Sequence, residues 1–237
     1  MDEASAAQAS GDQSYFLTGW RIYRKVLDLN YMLHREVYAT LNEAVAAAPP
    51  GFAFLDIACG DAAGTARALA DSGVGSYTGI DISRPALDIA ARELAGLGCP
   101  VSLIERDLRE ALAEWQGPVD VAWLGQSLHH FQPQEKRAIL RALRAAVAPG
   151  GTFMLWEPTL LPGEDRHGWL GRLAARRQHW PALEEDEWRV MYGHCAASDF
   201  PETEADWLAM AHGAGFRDGR AVFTAPGFIN QVFRFDG

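Results

Sequence analysis

The chain has 237 residues, 49% of them hydrophobic and 22% charged, with a formal net charge of −10. That length suits a single domain with a large core, and that composition leaves little room for extended disorder. An acidic surface repels phosphate and supplies no counterion-release term, so DNA and RNA are not expected partners.

Residues 1 to about 12 are small and polar and read as a frayed tail. From about 15 to 47 the pattern is helical, because Leu27, Tyr31, His34, Tyr38, Leu41 and Val45 recur at alternating steps of four and three along one face. Pro49-Pro50-Gly51 ends it, which predicts an N-terminal helical cap over 13–48 and a main domain over 49–237. Short apolar runs then predict strands at 52–57, 76–80, 101–105, 119–124 and 152–156, with helices between them at 62–72, 84–97, 108–115 and 134–147. This alternation implies right-handed crossovers and a parallel sheet.

The rhythm breaks over 158–200, a stretch rich in Trp, His, Arg and Glu, which predicts a lid-like insertion of irregular structure and short helices over one sheet edge. In the run Ser198-Asp199-Phe200-Pro201-Glu202 a cap residue precedes a proline and acidic residues, predicting a helix over 202–213. Strand-like runs at 220–224 and 228–235, separated by Ala225-Pro226-Gly227, predict a terminal hairpin. The expected fold class is α/β: a doubly wound, mostly parallel, seven-stranded Rossmann-like sheet with an antiparallel C-terminal hairpin, N-terminal helices and an insertion after the fifth strand.

Cys59, Cys99 and Cys195 are odd in number, far apart and outside metal-ligand spacing, so neither a disulfide framework nor structural zinc is expected, and a reducing cytoplasm is. No run of about 18 apolar residues occurs, and the N-terminus lacks a basic start followed by an apolar stretch, so neither a membrane span nor an export signal is expected.

The segment Asp56-Ile57-Ala58-Cys59-Gly60-Asp61-Ala62-Ala63-Gly64 is a strand entering a small-residue turn and a helix, where the backbone can approach a ligand closely. Asp81 ends the next strand, where a carboxylate can accept both hydroxyl protons of a ribose. Asp107 closes the third strand, where an adenine amino group could donate to it. Aspartates at strand ends also commonly cap the next helix, and both readings stay open for each of them. Of the three glycines in a dinucleotide fingerprint, Ala58-Cys59-Gly60-Asp61-Ala62-Ala63 keeps one, which disfavours NAD.

The segment instead resembles the first motif of class I S-adenosylmethionine (SAM)-dependent methyltransferases, an acidic residue followed by alternating small ones, here Asp56, Ala58, Gly60 and Ala62. Two of the family's three glycines are alanine. The resemblance extends over about 52–157 through Asp81, Asp107, the run 120–131 and the link 148–153, and the terminal hairpin is similar to the antiparallel finish of that fold. It implies that Ala58, Gly60, Asp61 and Ala62 back the methionine portion of SAM, with Asp56 ordering the turn. It further implies that Asp81 and Ile82 hold the ribose end, Asp107 and Leu108 meet the adenine, and Gln126 and Ser127 flank the amino-acid portion or the sulfonium.

The implied activity is methyl transfer from SAM to oxygen or nitrogen of a small molecule, with S-adenosylhomocysteine (SAH) as product. Such a displacement asks mainly for positioning and exclusion of water, and a base is needed only where the acceptor is protonated. His129 and His130, just past the fourth strand, are the candidate catalytic residues. Tyr31, His34, His130, Trp156, Glu157, Trp180 and Tyr192 are the candidate acceptor contacts, and the aromatic insertion suits a ring-shaped or apolar acceptor. Each also has a bland reading, as a packed turn histidine, as lid core or as a helix face buried against the sheet.

Nucleobase-methylating members carry an Asn/Asp-Pro-Pro-aromatic run where this chain has Gly125-Gln126-Ser127-Leu128, which again points to a small acceptor. The aspartate pair of magnesium-dependent catechol-type members is not evident, and His179 and His194 beside Glu184, Glu185 and Asp186 lack tight ligand spacing, so no metal is expected. A monomer or homodimer is expected. The rival readings are a SAM binder that does not methylate and, less favoured, an NAD-dependent oxidoreductase.

Overall fold

The computed structural model describes residue 19 and residues 21–237; the tail expected over 1–12 lies outside the described residues. Five strands follow one another with helices between: β1 (Ala53–Ile57), β2 (Ser76–Asp81), β3 (Val101–Glu105), β4 (Val119–Gly125) and β5 (Val147–Leu160). A two-residue strand β6 (Glu202–Thr203) pairs with β5, and β7 (Asp218–Thr224) and β8 (Asn230–Asp236) close the chain. The sheet runs β3-β2-β1-β4-β5-β8-β7, parallel from β3 to β5, with β8 antiparallel to both of its neighbours, β5 and β7. The expected architecture is present, with β6 as one short addition.

Helices cover both faces, so the central strands are buried on both sides. Alternate residues accordingly serve two cores. Leu55, Ile57, Leu124, Phe153 and Phe233 pack on one face with Leu140 and Leu143 of α6 (Pro133–Ala146). Phe54, Val121, Trp123, Trp156 and Val232 pack on the other with Val37, Leu41 and Val45 of α2 (His34–Ala46). The connecting helices α3 (Ala63–Leu69), α4 (Arg84–Glu93) and α5 (Leu108–Ala113) start where small or capping residues predict them.

Three expectations need correcting. The N-terminal helix is not continuous: residues 21–28 form α1, a turn follows, and Asn30 and Leu33 take left-handed φ of 57° and 62° before α2 begins. Asn30 tolerates that conformation, and its Oδ1 accepts the Arg35 N–H at 2.9 Å, so the break is satisfied locally.

The insertion is more regular than its composition suggests. After β5, which continues to Leu160, come α7 (Arg166–Ala175), capped by Asp165 on the Gly168 N–H at 2.9 Å, and α8 (Glu185–Ser198), opened by a Glu184/Glu187 capping box. Finally, α9 (Glu204–Gly213) is capped by Thr203, not by the Ser198-Asp199 pair. That leaves the Asp199 side chain for another role. Among the described residues, no helix is long and apolar enough to cross a membrane.

Candidate active site

Strand order reverses direction between β1 and β4, and such a switch opens a crevice at the carboxyl ends of the strands. In the turn after β1, Ala58, Gly60 and Ala62 have φ of 55°, 55° and 52°, and Gln126 after β4 has φ of 54°. A left-handed conformation costs an L-residue roughly 1–2 kcal/mol, and strain of this kind gathers at ligand sites. Gly64, one turn further, lets α3 approach α2, since a Cβ there would fall 2.0 Å from the Tyr38 ring.

Asp81 stands beside this turn. Its Oδ2 accepts the Gly60 N–H at 2.8 Å and its Oδ1 the Ser83 N–H at 2.8 Å, which leaves each oxygen one further acceptor site. Ile82 next to it is 71% exposed, an apolar surface at the crevice. Among the described residues, Gln126 Nε2 and Asp61 Oδ2 are buried without a hydrogen bond, although Asp61 Oδ2 is ion-paired with the Arg24 guanidinium at 3.5 Å. A zwitterionic amino-acid group would satisfy both kinds of atom. Ser127 lies beside Gln126 at the end of β4, its N–H directed to Glu157.

Two residues expected at the ligand sit otherwise. Asp56 is buried beneath the turn, where its Oδ2 accepts the Tyr77 hydroxyl at 2.7 Å. Burial pushes its carboxyl up to about 7, against hydrogen bonds from Tyr77 and Thr65 that pull it down. It supports the turn from below. Asp107 caps α5 through the Arg109 N–H at 2.8 Å and holds the Arg109 guanidinium at 2.9 and 3.0 Å, which keeps its carboxyl below the ordinary range. An adenine amino group would have to share it with Arg109. Leu108 beside it is buried in the α5 core.

The structure brings His129 and His130 together with Glu157 and with Asp199. Glu157, fully buried, accepts the N–H groups of Ser127, Leu128 and His129 at 3.0, 2.7 and 3.2 Å and meets His129 Nδ1 at 2.6 Å. Its expected contact with an acceptor is therefore corrected, because within β5 this side chain turns under the β4 loop. Burial acts to lower the His129 pKa, but the Glu157 charge and hydrogen bond and the Asp199 charge outweigh it and hold the imidazole above its usual value. His130 is the partly open one; burial and then the neighbouring His129 lower its pKa.

Asp199 is the residue sequence reasoning missed. Its local context is that of a helix cap, and nothing in the surrounding residues separates a cap from a site carboxylate.

The expected acceptor contacts divide. Trp156 is buried and donates through Nε1 to Asn230 at 3.1 Å. Tyr31 stacks on Trp180 with centroids 5.3 Å apart, and its hydroxyl accepts the Ala182 N–H at 3.0 Å. Trp180 in turn packs with Trp188, and Tyr192 stacks on Trp188, in a cluster with Ile22, Val26 and Leu183. Tyr31, Trp180 and Tyr192 thus join the N-terminal helix to the insertion and form a core there, with Lys25 paired to Glu187 at 2.7 Å beside them. His34 meets the Trp156 ring at 4.9 Å between centroids, has among the described residues no hydrogen-bond partner for either ring nitrogen, and borders a cavity of about 500 Å³ whose lining includes Arg35, Asn42, Gly64 and Arg67 but neither Gly60 nor Asp81.

The sheet order, with a strained turn after β1 and the Asp81 carboxylate beside it, defines a Rossmann-like domain. Residues 54–151 match the family model described as a methyltransferase domain. A 98-residue stretch is 34% identical to the carboxy-S-adenosyl-L-methionine synthase of Chromohalobacter salexigens, covering 40% of this chain and 35% of that protein. The namesake from Desulfotalea psychrophila is 31% identical over 87 residues, 36% of this chain and 34% of that one. The match thus spans about a third of the length of these curated relatives.

Among solved structures, the magnesium protoporphyrin IX methyltransferase of Synechocystis PCC 6803, with SAH bound, superposes with a TM-score of 0.63 at 14% identity, over 98% of this chain and 99% of that one. An O-methyltransferase family protein from Burkholderia thailandensis gives 0.61 at 20% identity, over 88% and 57%. At such identities these likenesses establish the fold.

Proposed function

We propose that this chain binds SAM in the crevice between β1 and β4 and transfers its methyl group to oxygen or nitrogen of a small molecule. The carrying observation is the Asp81 carboxylate hydrogen-bonded to the Gly60 N–H beside the strained turn, with acceptor capacity left for a ribose. Gln126 Nε2, buried without a hydrogen bond among the described residues, suits the carboxylate of the methionine portion, Asp61 Oδ2, ion-paired with Arg24, suits its ammonium, and Ile82 suits an adenine face. Bound SAM supplies an electrophilic methyl group. The tasks left to this chain are to fix the acceptor in line and to keep water out.

His130 is the side chain assigned to orient the acceptor and, where the acceptor is a hydroxyl, to take its proton; its lowered pKa keeps the imidazole neutral and receptive near neutral pH. His129 acts through the Glu157 hydrogen bond as a positioning residue. Segments 13–48 and 158–200 serve as cap and lid, and Tyr31, Trp180 and Tyr192 stiffen that lid instead of touching the acceptor. The charge of −10 supports a small acceptor, aromatic or apolar, over nucleic acid.

The relatives named carboxy-SAM synthases favour a second reading, in which SAM itself is the molecule modified. Calorimetry with SAM and with SAH tests the shared part; no binding of either ends both readings. Mass spectrometry of the nucleoside product separates them: with an acceptor panel methyl transfer yields SAH, and with a panel of carboxyl donors the alternative yields a heavier, carboxylated SAM.

A further inference from the structure

The cluster below the β4 loop carries more ligand chemistry than its hydrogen bonds use. Glu157 has four N–H partners, and the one on His129 Nδ1 fixes that ring so that Nε2 faces Asp199. Asp199 is 5% exposed, and among the described residues its Oδ1 has no hydrogen-bond partner. That oxygen lies 3.7 Å from His129 Nε2 and 3.5 Å from His130 Nδ1. Both separations are too long for hydrogen bonds. They are close to the edge of a tetrahedron, about 3.4 Å, drawn by nitrogen and oxygen ligands about 2.1 Å from a common centre. All three ligand atoms lie within 4.8 Å of one another.

We propose that His129 Nε2, His130 Nδ1 and Asp199 Oδ1 bind one divalent transition-metal ion, of the zinc class. Two imidazoles and one carboxylate suit such an ion better than magnesium or calcium, which favour all-oxygen sets. The Glu157–His129 bond is the carboxylate–histidine arrangement that orients ligating imidazoles in metal sites. Three protein ligands leave a coordination position free, and His130, the partly exposed member, marks its direction.

The frame is rigid although its two halves stand 69 positions apart (199 minus 130). The Phe200 N–H donates to the His129 carbonyl at 2.7 Å, and Arg166 donates to the carbonyls of Asp199 and Ala196 at 2.6 Å each. Lys136 donates to the Phe200 carbonyl and pairs with Glu202 at 2.7 Å, so its charge is neutralised and the Glu157 and Asp199 carboxylates are left in excess. His130 Nδ1 contacts the Ser198 carbonyl at 3.3 Å, a weak bond that an ion displaces, and the Cys195 thiol bonds the Asp199 carboxylate. In the ion-bound form both imidazoles are ligands, and an acceptor oxygen on the free position loses its proton to solvent more readily because the ion withdraws charge. Ion binding itself does not depend on the SAM reading.

Full-length protein stripped with a chelator and then dialysed is titrated with Zn²⁺ by calorimetry and with Co²⁺ by visible absorption. One equivalent is expected, with Co²⁺ bands of a four- or five-coordinate site. Asp199→Asn and His130→Ala should each weaken Zn²⁺ binding by at least about 100-fold, and Glu157→Gln, which removes only the outer partner, by about tenfold. Thermal unfolding of each variant without metal verifies that it folds; His130→Ala, at the open side, keeps the test valid if a buried substitution does not. Absence of stoichiometric Zn²⁺ binding in wild type overturns the proposal, as does equal binding by wild type and His130→Ala. Failure of SAM to bind would leave it standing.

Discussion

Asp81 Oδ2 accepts the Gly60 N–H at 2.8 Å, which ties the end of β2 to the turn after β1. Asp81→Ala removes that acceptor, the Ser83 contact and both proposed ribose contacts together. SAH affinity should fall at least about 30-fold, near 2 kcal/mol. Calorimetry reads it directly, and an unchanged affinity would place the ribose elsewhere.

Glu157 is held by four donors, so Glu157→Ala strands three backbone N–H groups and an imidazole in a buried site, at a cost of about 3–5 kcal/mol. Glu157→Gln keeps the shape and removes the charge. The His129 pKa is raised in the folded protein, so the stabilisation from this pair is complete below the unfolded value of 6.5 and is lost as pH rises through the folded value. The stability gap between wild type and Glu157→Gln should therefore narrow from about pH 6 to about pH 9. Denaturant midpoints at both values check this, and a gap that widens contradicts the assignment.

His34 shows the opposite sign. Burial, and then Arg67, lower its pKa from 6.5 to about 4. The contribution of the neutral ring is complete above 6.5 and is lost as pH falls toward 4. Relative to His34→Leu, wild type should lose about 3 kcal/mol across that window, as the shift in pKa implies. Comparing the two proteins cancels other titrating groups, and a flat difference would mean that the ring is not buried.

Gly64→Ala drives a methyl group into the Tyr38 ring at 2.0 Å and should destabilise by about 1–3 kcal/mol, with weaker SAH binding as α3 shifts. Gly171→Ala in α7, where the added Cβ meets nothing within 4 Å, should be neutral or stabilise by up to about 1 kcal/mol. Thermal melts of the pair separate close approach from helix propensity.

Periodicity and turn chemistry are local properties, and they carried the β1–β5 half of the molecule. The five parallel strands, the turn 58–62, Asp81 at the end of β2 and the final hairpin follow from residues a few positions apart. Where local signals were shared by two structures, only packing chose between them. The helical spacing of Leu27, Tyr31 and His34 runs across a real break at Asn30, and Asp199 looks like a helix cap but faces two histidines. The assembly of Glu157, His129, His130 and Asp199 was decided by tertiary structure alone. It depends on β5 and the α8–β6 link arriving under the β4 loop, a contact between segments far apart in sequence that no window along the chain encodes.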